Sequence, residues 1–274
     1  MIRVVLIHGF SGSPDSWSRV RPLLAVPSHA PAVGGHACRS ALVPAVAGDP
    51  WTFEGEVDRL ASEVRAVAPG TRYVAGYSLG GRLALGLLVR HPGLFAGAAL
   101  IGANPGIGDE RKRAERRDVD EAWARLIEER GLAAFDREWS KLALFASQSR
   151  LEPERLEEQR RIRLGHGRAA LASAMKTLSL GAMPDYRPFL PSVSCPVELV
   201  AGSLDTKFSS LARQMAGLLP AATVRLVDGI GHNVPLEAPA RLAGLLNAAA
   251  GRTLRGRSGD GSRCSVADRR RRGG

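Results

Sequence analysis

The sequence has few cysteines and no long hydrophobic run. Three cysteines occur in 274 residues, Cys38, Cys195 and Cys264, and their spacing matches no metal site. Any disulfide scheme leaves one of them unpaired, so we expect a reduced, cytoplasmic protein. No uninterrupted apolar run reaches the length of a transmembrane helix, and the short apolar run at the N-terminus is not laid out as a signal peptide. We therefore expect neither a metal nor a membrane partner.

The net charge of +11 is unevenly distributed along the chain. Residues 251–274 contain eight arginines and two aspartates and contribute +6, which leaves about +5 for the rest of the chain. Their Gly/Arg/Ser-rich composition predicts a disordered tail, either a solvated appendage or a contact for an anionic surface. Because the remaining body is only modestly basic, we expect no nucleic-acid partner for the folded part.

A Gly-x-Ser-x-Gly motif at residues 76–80 is the centre of the sequence. A β-prone run, Tyr73 to Ala75, precedes the motif, and a Leu/Ala-rich helical run follows it to about Arg90. A strand, a sharp turn and a helix in this order predict a nucleophile elbow with Ser78 exposed at the turn, rather than an ordinary Gly/Ser loop. The backbone N–H of Leu79, at the start of the helix, would face a negative oxygen formed there.

A second motif follows the first apolar strand. Ile2 to Ile7 has the pattern of a buried parallel strand and leads directly into His8-Gly9-Phe10. In α/β-hydrolases a His-Gly pair at this point supplies the second oxyanion-hole donor, which here is the backbone N–H of Phe10. We interpret His8 as a residue that organises the turn rather than as a catalytic base.

The remaining patterns predict an α/β-hydrolase fold, a mostly parallel sheet flanked by helices with a helical cap insertion. We expect the core at 1–108 and 181–250, the cap at 109–180 and the tail at 251–274. The cap follows from the charged, helical composition of 109–180 between two core strands, at the sheet edge where ligands bind. The predicted elements are helices at 14–24, 53–67, 209–219 and 239–249, strands at 41–46, 94–101, 196–201 and 223–227, and a loop at 27–40.

Three residues complete a catalytic pattern. Ser78, Asp205 and His232 stand in the Ser…Asp…His order, and each follows a different predicted strand. Their loops can therefore meet at one edge of the sheet, where His232 would take the Ser78 proton and Asp205 would orient His232. A surface position for His232 and a helix N-cap role for Asp205 are the alternatives, with Asp228 as the second candidate acid.

Arginines point to an anionic ligand. Arg82 lies one turn after Ser78 on the predicted elbow helix, and a charge beside a closed pocket needs an ionic partner. We therefore expect Arg82 to bind a carboxylate. Further cations cluster in the predicted cap, where solvated helix surface is the alternative role: Arg111, Lys112, Arg113, Arg116 and Arg117 near its start, and Arg160, Arg161 and Arg163 near its end.

From residue 2 to about 248 the sequence resembles the 2-succinyl-6-hydroxy-2,4-cyclohexadiene-1-carboxylate synthases, menaquinone-biosynthesis lyases of the α/β-hydrolase fold. The most selective matches are Arg82 after the elbow and the Arg-Ala-Glu-Arg motif at 113–116. The other matching segments are 8–12, 76–81, Trp139, 145–147, 205–208 and 231–233. The loop Pro44 to Asp49 departs from the Asp-x-x-Gly-x-Gly pattern of the family.

The resemblance implies a reaction and a set of ligand contacts. The family removes a ring proton from a 5-enolpyruvyl cyclohexene carboxylate and expels pyruvate, with the serine acting as a base and no cofactor. By this resemblance Arg82, Arg116 and Arg163 would hold substrate carboxylates, and Tyr77 and Trp139 would line the pocket. The substrate would be a polycarboxylate small molecule. A serine hydrolase acting on esters or carbon–carbon bonds, and a non-catalytic binding module, are the alternatives. The sequence leaves the oligomeric state open.

Overall fold

The computed structural model describes residues 2–36 and 51–258. The strands are β1 (Ile2–Ile7), β2 (Ser28–His29), β3 (Thr71–Tyr77), β4 (Gly97–Ile101), β5 (Val197–Gly202) and β6 (Ala222–Val227). The helices are α1 (Phe53–Val67), α2 (Leu79–Arg90), α3 (Glu110–Trp139), α4 (Pro153–Leu164), α5 (Arg168–Thr177), α6 (Thr206–Ala216), α7 (Val234–Glu237) and α8 (Pro239–Ser258). Short 3₁₀ helices occupy Pro14–Trp17, Arg21–Leu23, Ala143–Arg150 and Arg187–Ser192.

The six strands form one parallel sheet in the order β2-β1-β3-β4-β5-β6. The central strands are mostly apolar, and all five residues of β4 are buried. Such strands fit a parallel sheet because helices cover both of its faces. The sheet confirms the predicted fold class, and its parallel strands bring the segments after β1, β3 and β5 to the same edge.

The chain between β4 and β5 is helical. We call α3, α4 and α5 the cap helices. They enclose a hydrophobic cluster of their own, which includes Phe135, Leu171 and Met175. Phe10, from the segment after β1, packs against this cluster. The cap helices therefore contact the core at the edge where the parallel strands end.

Several predicted elements need correction. The helix predicted at 14–24 is wrong, because two short 3₁₀ helices occur there instead. Pro22 removes a backbone donor and disfavours α conformation at the preceding residue, which prevents one continuous helix. Within the predicted loop 27–40, Ser28–His29 pairs with β1. The strand predicted at 41–46 and the departing loop at 44–49 lie outside the described residues, as do Cys38 and Cys264.

The last helix is longer than the sequence predicts. A helix at 239–249 was expected, but α8 continues to Ser258 and so includes the first eight residues of the predicted tail. Ala249 and Ala250 are buried at 4% and 1% exposure, and Arg252 pairs with Glu198 of β5, so packing continues past the expected boundary. Residues 259–274 lie outside the description. Across 2–36 and 51–258, no helix is long and apolar enough to cross a membrane.

Candidate active site

Ser78 occupies a strained turn between β3 and α2. Its backbone has φ 53° and ψ −108°, a conformation that non-glycine residues rarely adopt. A Cβ on Gly76 would lie 2.1 Å from the carbonyl oxygen of Gly80, and a Cβ on Gly80 would lie 2.0 Å from the carbonyl oxygen of Ile7. The two motif glycines are therefore needed by close backbone packing, as expected for an elbow that presents its serine at the sheet edge.

His232 joins Ser78 to Asp205. The Nε2 atom of His232 lies 3.1 Å from Ser78 Oγ, and its Nδ1 atom lies 2.7 Å from Asp205 Oδ2. Because an ionised carboxylate only accepts, Nδ1–H donates to Asp205 and leaves Nε2 to accept the Ser78 proton. His232 and Asp205 are 2% and 8% exposed, so water competes little for this pair. The arrangement is that of a serine activated by a histidine with a fixed tautomer.

Asp205 has two structural roles at once. Its Oδ2 accepts from His232, while its Oδ1 accepts from the backbone N–H of Phe208 at 3.1 Å and caps α6. The N-cap alternative is thus compatible with the contact to His232. The second candidate acid, Asp228, instead accepts from the Ser203 hydroxyl at 3.2 Å. The Phe208 ring packs on the His232 ring at a centroid distance of 4.4 Å and fixes the imidazole plane.

The two predicted oxyanion donors lie on neighbouring segments. β1 and β3 pair in parallel, with Ile7 opposite Gly76, so the segment containing Phe10 leaves the sheet beside Ser78. Leu79 is the first residue of α2, where backbone N–H groups lack partners within the helix. Phe10 and Ser78 both line one cavity. Negative charge that develops beside Ser78 would lie at the positive end of the α2 dipole.

This large cavity has a volume of about 680 Å³ and lies between the sheet edge and the cap helices. Ser78 and His232 line it from the core, and Trp139 and Met175 line it from the cap helices. Arg82 and Arg116 also line the cavity, as do the exposed cations Arg150 and Lys207. The space and the positive charge both fit a small anionic ligand.

Arg82 has no carboxylate partner among the described residues. Its Nη1 atom donates to the carbonyl oxygen of Leu178 at 2.9 Å and lies 3.8 Å from Met183 Sδ. Desolvation, together with the positive charge of the nearby Arg116, lowers the pKa of Arg82 to about 9, against a smaller opposing effect of Asp120. Arg82 is half-buried, and a partly desolvated guanidinium without a carboxylate partner favours an anionic ligand here.

Arg116, in contrast, has a built-in counter-ion. Its Nε atom lies 2.9 Å from both carboxylate oxygens of Asp120, and its Nη2 atom lies 2.8 Å from Oδ1. Asp120 is 1% exposed and lines the same cavity. Sequence analysis did not identify Asp120, although its i+4 spacing from Arg116 on a helix was a usable signal.

Two predicted ligand residues lie apart from the large cavity. Arg163 and Tyr77 line a smaller cavity of about 70 Å³, and Phe10 and Trp139 line both cavities. Arg163 is 4% exposed and pairs with Asp136 at 2.5 Å, while also donating to Ser140 Oγ at 2.9 Å. Burial raises the pKa of Tyr77 well above its ordinary value. The structure therefore brings Arg82, Arg116 and Trp139 to the cavity of Ser78, but places Arg163 and Tyr77 in the neighbouring one.

Comparisons with known proteins agree with this geometry. The sequence model of the Alpha/beta hydrolase family matches residues 4–245. The 2-succinyl-6-hydroxy-2,4-cyclohexadiene-1-carboxylate synthase of Escherichia coli O1:K1 / APEC is 30% identical over 241 residues, which cover 86% of this chain and 89% of that protein. The synthase of the same name from Salmonella newport (strain SL254) is 31% identical over 246 residues, with the same coverage.

Solved structures show the same relationship. The structure of MenH from S. aureus superposes with a TM-score of 0.85 at 26% identity and covers 92% of this chain and 94% of that one. A thermophilic esterase from Thermogutta terrifontis gives a TM-score of 0.77 at 24% identity, over 92% of this chain and 90% of the esterase, and shares the fold. The chain therefore belongs to the Alpha/beta hydrolase family and, within it, to the family of the 2-succinyl-6-hydroxy-2,4-cyclohexadiene-1-carboxylate synthases.

Proposed function

We propose that this protein is a lyase of menaquinone biosynthesis. It would convert 2-succinyl-5-enolpyruvyl-6-hydroxy-3-cyclohexene-1-carboxylate into 2-succinyl-6-hydroxy-2,4-cyclohexadiene-1-carboxylate and pyruvate. The observation that carries the proposal is the unpaired Arg82 guanidinium in the same cavity as the hydrogen-bonded Ser78 and His232. A hydrolase of neutral esters does not need this cation, whereas an enzyme whose substrate has three carboxylates does.

The proposed chemistry begins with a proton transfer. His232 accepts the Ser78 proton through Nε2, and the Ser78 oxygen removes a proton from the cyclohexene ring. The electron pair of the C2–H bond forms a C2=C3 double bond, the electron pair of the existing C3=C4 double bond moves to C4=C5, and the C5–O bond to the enolpyruvyl group breaks. The departing enolpyruvate takes up a proton and becomes pyruvate. Asp205 stabilises the imidazolium that His232 becomes during the reaction.

The cations of the cavity would bind the substrate, and its backbone amides would stabilise the charge that develops during the reaction. Arg82 binds one substrate carboxylate directly, and Arg116, oriented by Asp120, binds a second through its free guanidinium edge. The N–H groups of Phe10 and Leu79 stabilise the enolate-like charge that forms as the proton leaves. Trp139 packs against the ring from the cap helices. Substrate contacts by Arg163 and Tyr77, and a cytoplasmic location, stay predictions from the sequence.

The test is turnover of the proposed substrate by the purified chain. Pyruvate release and diene absorbance are followed together for the wild type, Ser78→Ala and Arg116→Ala. Arg111→Ala is the matched control, because Arg111 lies on the same helix with a 90% exposed side chain and outside the cavity. We expect rapid turnover that Ser78→Ala abolishes and Arg116→Ala weakens, while Arg111→Ala leaves it unchanged. A folded wild type that releases no pyruvate but cleaves aryl esters rapidly would replace the lyase with a serine hydrolase.

A further inference from the structure

Ser11 is held in a strained conformation beside the proposed oxyanion donor. Ser11 and Ser78 are the two non-glycine residues with positive φ in the described part of the chain, and φ of Ser11 is 56°. Ser11 is 5% exposed and directly follows Phe10. Strain of this kind persists only where the surroundings hold the backbone in place. The contacts of Ser11 therefore decide where the Phe10 amide lies.

Two of those contacts come from the end of α4. The Nε2–H group of His166 donates to the carbonyl oxygen of Ser11 at 3.1 Å, and the Nε–H group of Arg163 donates to Ser11 Oγ at 3.3 Å. His166 and Arg163 are 6% and 4% exposed, so both contacts are shielded from water. A hydrogen bond to each side of one residue fixes both its peptide plane and its side chain.

One of the two donors, Arg163, is itself held by the end of α3. Arg163 pairs with Asp136 and donates to Ser140 Oγ, and these two residues lie at the end of α3. Phe10 packs edge-on against the Phe135 ring at a centroid distance of 6.2 Å, also on α3. The segment that contains the oxyanion donor is thus clamped by α3 and α4, rather than by the sheet alone.

We propose that Arg163 and His166 are positioning residues that hold the Phe10 amide in the oxyanion hole through Ser11. The cap helices would then complete the oxyanion hole as well as cover the cavity. The inference rests on the proposed use of the Phe10 N–H as an oxyanion donor. In this proposal Asp136 holds Arg163, and Arg163 holds Ser11. This positioning role requires no direct contact between Arg163 and a substrate carboxylate.

The test compares three variants on α4 and its C-terminal side. His166→Ala removes the donor to Ser11, and His166→Gln restores an amide N–H in a similar place. Glu158→Gln is the matched control, because Glu158 also joins α4 to the core but does so through Ser18 and Arg19, away from Ser11. Loss of a true oxyanion donor lowers kcat by about 10² to 10³. We expect His166→Ala to lower kcat about tenfold to a hundredfold with KM changed less than threefold, and His166→Gln to recover most of the loss.

Two further measurements do not depend on the lyase reaction. The first is the rate at which a fluorophosphonate labels Ser78, and the second is hydrogen exchange of the backbone amides at residues 8–12. We expect slower labelling and faster exchange in His166→Ala, both reversed in His166→Gln and absent in Glu158→Gln. This result supports the clamp even if the wild type releases no pyruvate. Exchange at 8–12 that is equal in His166→Ala and Glu158→Gln overturns it, even if the lyase assay succeeds.

Discussion

The two cavities beside the sheet edge contain arginines in opposite situations. In the large cavity, Arg82 has backbone and sulfur contacts and no carboxylate partner among the described residues. In the small cavity, Arg163 is bound by Asp136 and Ser140. The buried Arg163 already has its anion and is costly only if that anion is removed, whereas the half-buried Arg82 has room for an anion from a ligand. We therefore place the proposed chemistry in the large cavity and propose a supporting role for the small one.

The largest effect on activity is expected from a substitution in the large cavity. Ser78→Ala removes the group that accepts the ring proton while leaving the α2 helix and the cation set in place. We expect kcat to fall by about 10³-fold or more, as for other serine–histidine pairs that act as a unit. Pyruvate release measured under saturating substrate checks this. A variant that keeps a tenth of the wild-type rate contradicts the assignment of Ser78.

Disrupting the ion pair of Arg163 at the small cavity should lower the stability of the fold. Asp136→Asn removes the counter-ion of the buried Arg163 guanidinium. We expect the free energy of unfolding to fall by about 3–5 kcal/mol, the cost of leaving one buried charge unpaired. Urea denaturation checks this, with Asp118→Asn, an exposed position on the same helix, as the control. Equal midpoints for the two variants would show that the Arg163–Asp136 pair is not structural.

A histidine at the small cavity should also make the stability of the fold depend on pH. His8, which lines it, is buried and has its pKa lowered from 6.5 to about 4, chiefly by burial. His8 therefore binds a proton more readily in the unfolded chain than in the folded protein. The free energy of unfolding begins to fall as the pH drops below 6.5. At pH 4 this loss amounts to about 3 kcal/mol. Urea midpoints measured between pH 7 and 4 should fall, and more steeply in the wild type than in His8→Gln. Parallel curves would contradict the buried neutral His8.

The smallest effect is expected at Arg82, where one substitution should weaken substrate binding without lowering the stability of the fold. Arg82→Met keeps an unbranched apolar side chain and removes the guanidinium charge. We expect kcat/KM to fall about tenfold to a hundredfold through loss of a charged hydrogen bond to the substrate. Because the substitution removes a partly desolvated charge that has no carboxylate partner among the described residues, the free energy of unfolding should stay the same or rise. Steady-state kinetics and urea denaturation on one preparation check both. A large loss of stability would place Arg82 with Arg163 as a structural cation.

Much of the fold followed from local patterns. The helix at Phe53–Val67 has the predicted bounds, because a Thr52 N-cap and one apolar face define it within its own sequence. The elbow was equally readable, since its strand, its Gly-x-Ser-x-Gly turn and its helix follow one another directly in the sequence, although Gly80 is also needed because it packs closely on Ile7 of β1. The helix at 14–24 and the end of α8 were predicted incorrectly, because Pro22 and the packing of Ala250 against the core outweighed helical composition.

The candidate site was readable in part. The order of Ser78, Asp205 and His232 suggested the hydrogen-bonded set before any distance was available, and the position of Arg82 near Ser78 suggested an anion site. The i+4 spacing of Arg116 and Asp120 on one helix was a usable signal, but the sequence could not say that Asp136 pairs with Arg163 across 27 residues. Ion pairs between separate helices depend on how those helices pack, which local spacing does not encode.

The sequence by itself determined the chemistry: the serine at a turn that requires glycine, the histidine and acid that follow later strands, and the excess of arginine. These features are readable from the sequence, because each depends on residue type and on order along the chain. Only the tertiary structure decided which arginines have counter-ions and which do not. It also decided that the cap helices reach Ser11 and hold the segment containing Phe10. Such contacts join residues more than 150 positions apart, and packing alone brings them together.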